Sequence, residues 1–134
     1  MSKRAVLIVD DDASARETLD ALLGDEFDVE TVPSAAHAEA KLARRSFDVV
    51  ITDYQMPGIS GLQLLQKIEA LYPNLVGIIV TGHGGYPEIE RARSNWRDFR
   101  VLIKPYAPDD LVRAVRNAAG IAALRKATSR LPTR

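Results

Sequence analysis

The sequence predicts an α/β fold, a doubly wound five-stranded parallel sheet with five helices on both faces. Short apolar runs alternate with stretches of helical periodicity. The runs after the first helix pair read as near-continuous Val, Ile and Leu, as strands buried on both faces do. Right-handed crossovers then wind such a chain around its sheet.

The first strand is expected over residues 5–10, where Ala5 to Val9 is apolar and β-branched and three aspartates follow. Ala13 to Leu23 reads as a helix with Leu19, Leu22 and Leu23 on one side and Gly24 as its C-cap. The second strand is placed at 27–32. Ser34 caps a second helix carrying Ala38 and Leu42 at helical spacing. The third strand spans 47–52 and runs straight into Asp53. Ser60 caps a third helix whose apolar stripe is Leu62, Leu64, Leu65, Ile68 and Leu71. The fourth strand is placed at 75–81. Pro87 suits the first turn of a fourth helix with Ile89 and Ala92 on its inner face. The fifth strand, 100–103, is followed by Lys104. Pro108-Asp109-Asp110 opens a fifth helix with acids at its positive end, and Leu111, Val112, Val115, Ile121 and Leu124 form the expected buried face.

A chain of 134 residues holds one domain. Its compact part is expected over 1–120, with 121–134 as a C-terminal helix extension or tail. Lys plus Arg and Asp plus Glu both number 18, so overall charge argues for neither nucleic acid nor an anionic membrane. From Leu111 onward the chain is basic without an acid (Arg113, Arg116, Arg125, Lys126, Arg130, Arg134), which reads as a solvated helix face and tail. The absence of cysteine excludes disulfides and thiolate chemistry and suits a reducing cytoplasm. The short apolar run after Lys3 and Arg4 ends in aspartates and so is not a signal peptide, and no run approaches the roughly 18 apolar residues of a membrane span.

The chemistry gathers at the strand ends, where open α/β sheets place their sites. Asp10 and Asp11 follow the first strand and Asp53 the third. Neighbours in a strand point to opposite faces, so the strand must end at Asp10 and Asp11 for both to turn inward. Crowded carboxylates repel one another and become tolerable around a hard cation, for which Mg²⁺ with its oxygen ligands is the natural choice. Asp11 or Asp12 also reads as the cap of the first helix. Thr81 ends the fourth strand and Lys104 the fifth. A carboxylate nucleophile, a cation, an ammonium and a hydroxyl together suit phosphoryl transfer.

Four pieces, Leu7-Ile8-Val9-Asp10-Asp11-Asp12, Ile51-Thr52-Asp53-Tyr54-Gln55-Met56-Pro57-Gly58-Ile59-Ser60-Gly61, Val80-Thr81-Gly82-His83 and Ile103-Lys104-Pro105-Tyr106, occur in this order. With them the chain resembles the response-regulator receiver domains of bacterial two-component signalling, from about Ala5 to about Ala119. The resemblance implies the flavodoxin-like strand order 2-1-3-4-5. It makes Asp53 the phosphoacceptor, supplied from the phosphohistidine of a sensor histidine kinase or phosphotransfer protein. Asp10, Asp11, Asp53 and the backbone carbonyl of Gln55 would hold Mg²⁺, with Mn²⁺ as a substitute. Thr81 would hydrogen-bond the acyl phosphate and Lys104 would pair with Asp53 and then with a phosphoryl oxygen. The peptide before Pro105 is expected to be cis. Gln55 and His83 occupy positions that tune phosphoryl lifetime, although His83 reads equally as an exposed loop histidine.

The chain departs from the family most at Val101, and the segment from Arg91 to Arg100 is also more charged than the family's usual approach to the fifth strand. The family usually has Tyr or Phe where this chain has Val101, so the ring that reports phosphorylation is missing. Trp96, Phe99 and Tyr106 are the nearby aromatic residues, and each reads more simply as core packing. The resemblance implies a signalling domain that is not a turnover enzyme, either standing alone or preceding an output domain. It would sit in the cytoplasm and control a downstream protein through the fourth helix, fifth strand and fifth helix, a surface compatible with a homodimer. No direct role with nucleic acid or membrane is implied.

Two alternatives arise from the same residues. Asp10-Asp11-Asp12 resembles the Asp-x-Asp of haloacid-dehalogenase-like phosphatases, with Asp10 as nucleophile and Asp12 as acid/base, but these enzymes need a cap or larger core and a later acidic pair, for which the chain offers no good candidate. A non-phosphorylated interaction module would keep the fold and lose ligands that are all present here. No Gly-x-x-x-x-Gly-Lys-Ser/Thr occurs, which excludes a P-loop nucleotide site.

Overall fold

The structure is a computed structural model that describes residues 3–82, 86–95 and 100–129. Strands and helices alternate throughout: β1 (Ala5–Val9), α1 (Ala13–Leu23), β2 (Asp28–Val32), α2 (Ala35–Arg44), β3 (Val49–Asp53), α3 (Gly61–Leu71), β4 (Val76–Thr81), α4 (Pro87–Asn95), β5 (Arg100–Ile103) and α5 (Pro108–Ser129). The sheet order is β2-β1-β3-β4-β5 and every pairing is parallel, the topology expected from sequence.

Alternation along the central strands divides the core in two. Leu7, Val9, Val50 and Ile79 face α2, α3 and α4, where they meet Leu42, Leu65, Ile68 and Ile89. Ile8, Ile51 and Ile78 face α1 and α5, where they meet Leu19, Leu23, Leu111 and Val115. The helices start where side chains satisfy their free N–H groups. Ser14 N donates to Asp12 Oδ1 at 3.1 Å and His37 N to Ser34 Oγ at 3.2 Å. Ser60 and Gln63 bond reciprocally, at 3.1 and 2.9 Å, in a capping box. Asp12 is therefore the cap, and Asp11 is left for the site. Edge strand β2 carries Asp28 and Glu30, ion-paired with Arg45 and, for Glu30, with Lys41; such charges discourage a further strand from pairing there.

Three expectations need correction. The fifth strand was expected to be buried, but β5 pairs only with β4, so Arg100 is exposed and Ile103 is 52% exposed. Leu71 and Leu124, placed on buried stripes, are 64% and 68% exposed. Leu71 is the last residue of α3, and Leu124 lies on the outward side of α5, whose inner face runs along Leu111, Val115, Ala118, Ala119 and Ala122. The basic residues of α5 are not simply solvated. Arg116 makes a bidentate pair with Glu26 at 2.7 and 2.8 Å, Arg125 donates to the Leu75 carbonyl at 3.1 Å and lies 3.9 Å from Glu69, and Lys126 bonds Asp48 at 2.8 Å.

Helix length explains these pairs. The 22 residues of α5 span about 33 Å at 1.5 Å per residue, whereas the six residues of β4 span about 20 Å. The helix overhangs the base of the sheet, and its cations reach back to groups the strands leave there. Asp48 is 6% exposed and receives the Ala5 N–H at 2.8 Å on its other oxygen. The helix runs unbroken past position 120, and Ala122 is buried. Among the described residues no helix is long and apolar enough to cross a membrane.

Replacing Lys126 with Met leaves the buried Asp48 carboxylate without its cation. The expected loss is about 1–2 kcal/mol, moderated by the partial exposure of Lys126 and by the remaining bond from Ala5. Urea unfolding should show a clear fall in midpoint for Lys126→Met and a much smaller one for Arg116→Ala, whose partner is exposed.

Candidate functional site

Register builds the site. Val6 pairs with Val49 and Ile8 with Ile51 between β1 and β3. Two residues further along both strands are Asp10 and Asp53, on the side facing α1 and α5. Lys104 follows Leu102 of β5 on the same side. β1 ends at Val9, so the chain turns and brings Asp11 in as well. Carboxylate oxygens of Asp10, Asp11 and Asp53 lie within 4.8 Å of one another.

Asp10 is 4% exposed and well anchored. Its N–H donates to the Val32 carbonyl at 3.2 Å and its Oδ1 accepts the Asp12 N–H at 2.9 Å. The Arg16 guanidinium donates to its carbonyl at 2.7 Å. Lys104 Nζ lies 3.7 Å from Asp53 Oδ1, an ion pair too long for a hydrogen bond. The Lys104 N–H donates to the Thr81 carbonyl at 2.8 Å and the Lys104–Pro105 peptide is cis.

Burial holds the carboxyl of Asp53 above its ordinary pKa, opposed by the Lys104 charge and by the Tyr54 and Gln55 N–H groups, and aided by Asp11. Burial likewise raises Asp10, with the Asp12 N–H opposing and the Asp53 charge adding to the shift. Tyr106, half-buried beside them, is raised by burial and then by the Asp10 charge. Three carboxylates facing one ammonium leave an excess of two negative charges. Such a set of hard oxygen donors fits a divalent cation such as Mg²⁺.

The structure thus brings together Asp10, Asp11, Asp53 and Lys104. Thr81 ends the neighbouring strand, 2% exposed, on the opposite side from Lys104 by alternation, the side of Ile79. Gln55 and Pro105 are exposed in the adjoining loops. Val101 is half-buried against the α2, α3 and α4 layer. His83, Trp96 and Phe99 lie outside the described residues.

Two contributors were given no role from the sequence, although Gly61 closes one of the quoted pieces. Gly61 starts α3 directly beneath the site; a Cβ there would stand 2.2 Å from the Asp53 carbonyl oxygen. Its place immediately after the Ser60 cap was the available signal. Arg16 carried no signal, since a helix arginine six positions from Asp10 reads as surface. Gly58 turns the intervening loop with φ +89°, a left-handed conformation suited to glycine.

The family model described as "Response regulator receiver domain" matches residues 6–116. The chain is similar to the hydrogenase transcriptional regulatory protein HoxA of Cupriavidus necator, 34% identical over 84% of this chain and 23% of that protein. It is also similar to the C4-dicarboxylate transport transcriptional regulatory protein DctD of Rhizobium meliloti, 39% identical over 85% of this chain and 25% of that protein. The chain therefore spans about a quarter of the length of these curated relatives. Among solved structures, a response regulator receiver domain protein from Clostridium thermocellum is 32% identical with TM-score 0.80, covering 90% of this chain and 98% of that one. Response regulator TrrA from Thermotoga maritima, in complex with Mg²⁺ and BeF, is 27% identical with TM-score 0.76, covering 86% of this chain and 98% of that one.

Gly61→Ala forces the start of α3 away from Asp53, and overpacking of this kind costs about 1–3 kcal/mol. The expected result is a lower denaturation midpoint together with weaker Mg²⁺ binding by titration calorimetry. A raised carboxyl pKa in the folded state means that ionising the group opposes folding. In EDTA, stability should therefore be highest at acid pH, as far as these two carboxyls set it, and fall as pH rises from the ordinary carboxylate range through their folded pKa values. Asp53→Asn should raise the thermal midpoint in EDTA at pH 7, and added Mg²⁺ should stabilise the wild type more than this variant.

Proposed function

This chain belongs to the response-regulator receiver family, and from that premise we propose that Asp53 accepts a phosphoryl group from the phosphohistidine of a kinase or phosphotransfer protein. The observation that carries this assignment is the placement of Asp53. It is the half-buried last residue of β3, with Asp10 and Asp11 oxygens within 4.8 Å and Lys104 Nζ at 3.7 Å.

The Asp53 carboxylate supplies the electron pair that forms the new P–O bond. The P–N bond to the donor histidine breaks, and its electrons stay on the imidazole, which takes up a proton. Asp10, Asp11, Asp53 and the Gln55 carbonyl would hold Mg²⁺. Such an ion, when bound, neutralises phosphoryl oxygens and offsets the charge of the acids. Lys104 is long and 43% exposed at its side chain, free to exchange its loose pairing with Asp53 for a phosphoryl oxygen. Thr81 stands at the next strand end to hydrogen-bond another. Water attack on the acyl phosphate returns Asp53 and inorganic phosphate, so each cycle consumes one donor and the domain is a signal carrier rather than a turnover enzyme.

Phosphorylation then shifts a conformational equilibrium read by a protein partner or an output domain, with α4, β5 and α5 as the reading surface. The named relatives are transcriptional regulators much longer than this chain, which supports an output domain elsewhere in such proteins. We place the exchange in the cytoplasm, with the phosphohistidine donor. The alternative pairing of Asp10 with Asp12 in a phosphatase is disfavoured. Asp12 caps α1 and stands outside the converging oxygens, and the Lys104 pairing falls on Asp53.

Incubation with acetyl phosphate and Mg²⁺ tests the assignment by mass spectrometry. Asp53→Asn should lower phosphoryl incorporation at least about 100-fold, while Asp12→Asn stays within about twofold of wild type. The reverse pattern sinks the receiver assignment in favour of the phosphatase chemistry.

A further inference from the structure

We propose that Tyr54 is the positioning residue through which a change at Asp53 reaches α4, its side chain supplying the link that Val101, lacking a ring, cannot. The relay rests on phosphoryl uptake at Asp53 and acts after it.

Tyr54 is the next residue after Asp53 and is 5% exposed. Its backbone is held on both sides. The N–H donates to the Val80 carbonyl on β4 at 2.9 Å, and the carbonyl accepts the Gly61 N–H of α3 at 2.8 Å. The Asp53 turn and the Tyr54 backbone therefore move together. The side chain leaves that turn and goes to the start of α4. Its ring centroid lies 4.4 Å from that of Tyr86, with planes 32° apart, and burial, then the nearby Glu88 carboxylate, push the pKa of its hydroxyl up to about 12. Tyr86 in turn opens the helix, because its carbonyl accepts the N–H groups of Ile89 at 3.1 Å and Glu90 at 3.3 Å.

The start of α4 thus touches the residue beside the phosphoacceptor through the Tyr86 ring, with the Glu88 charge near the same side chain. The other buried anchors of α4 among its described side chains are Ile89 and Ala92, both apolar and without directional bonds. Packing of this kind permits sliding, whereas a tilted ring pair favours one register. Val101 sits half-buried in the same layer, opposite Ile79 in the sheet. It has neither a polar tip nor a large ring, so its movement would carry little to α4. The helix then has two arrangements, one with the Tyr54–Tyr86–Glu88 contact closed and one with it parted, and a charge added at Asp53 biases the choice.

The test uses the full chain with beryllium fluoride and Mg²⁺ as the phosphoryl mimic. Uptake at Asp53 is read by fluorine NMR and the response of α4 by amide shifts at Ile89 to Ala92. In wild type both should respond. In Tyr86→Leu, uptake should stay within about twofold while the α4 shift changes fall at least twofold; Glu88→Gln should give a smaller loss in the same direction. Val101→Ala should leave the α4 response near wild type. If Tyr86→Leu does not fold, Tyr86→Ala in the presence of a stabilising osmolyte takes its place, with the same readouts. An undiminished α4 response in the Tyr86 variant, or an equal loss in Val101→Ala, overturns the relay while leaving the phosphoacceptor assignment standing. Absence of uptake in wild type overturns both.

Discussion

Repulsion among Asp10, Asp11 and Asp53 is the constraint around which the molecule is organised. Three carboxylates with oxygens within 4.8 Å would separate if their backbones could yield. They cannot, because β1 and β3 are paired in register through a largely apolar core. Asp10 is pinned further by the Val32 carbonyl, the Asp12 N–H and Arg16, and Gly61 lets α3 begin against the Asp53 carbonyl. Lys104 offsets the charge only partly from 3.7 Å. The remaining excess charge suits the site to a divalent cation, the ion the proposed phosphoryl uptake would use.

The opposite end of the sheet shows how a buried acid behaves when it has no such task. Asp48 is nearly as buried as Asp10, yet its two oxygens are taken by the Ala5 N–H and by Lys126, each at 2.8 Å. That closed pair stabilises the overhanging end of α5 and leaves no room for chemistry. At the functional end the cation stands off, on a long and partly exposed side chain. The same residue types thus give a staple at one edge and a reactive centre at the other, and geometry alone distinguishes them.

In the proposed relay, Tyr54 connects the site to the start of α4. The residue beside Asp53 is tied by its backbone to β4 and α3 and by its side chain to the first turn of α4. A domain lacking an aromatic residue at position 101 therefore still has a directional path from strand end to helix.

Local patterns were sufficient for much of this. Apolar runs marked the five strands to within about two residues, and Ser34, Ser60 and Asp12 were legible as caps because capping depends on neighbours three residues apart or fewer. The acids, the threonine and the lysine were legible as strand-end residues for the same reason. Long-range placement was not. Leu71 and Leu124 are exposed all the same, Leu71 because it ends its helix and Leu124 because the side of α5 that meets the sheet is set by packing and leaves it outward. Residues 111–126 read as a solvated basic face because Asp48, Glu69 and the Leu75 carbonyl are 50 or more positions away from their cations. The Tyr54–Tyr86 contact and the demand for glycine at 61 likewise arise only when strands pair and crossovers close. The chain's composition and order decide which groups exist at which strand ends, a matter of local backbone preference; which of them touch is decided by register and packing, which bring together residues that no local pattern relates.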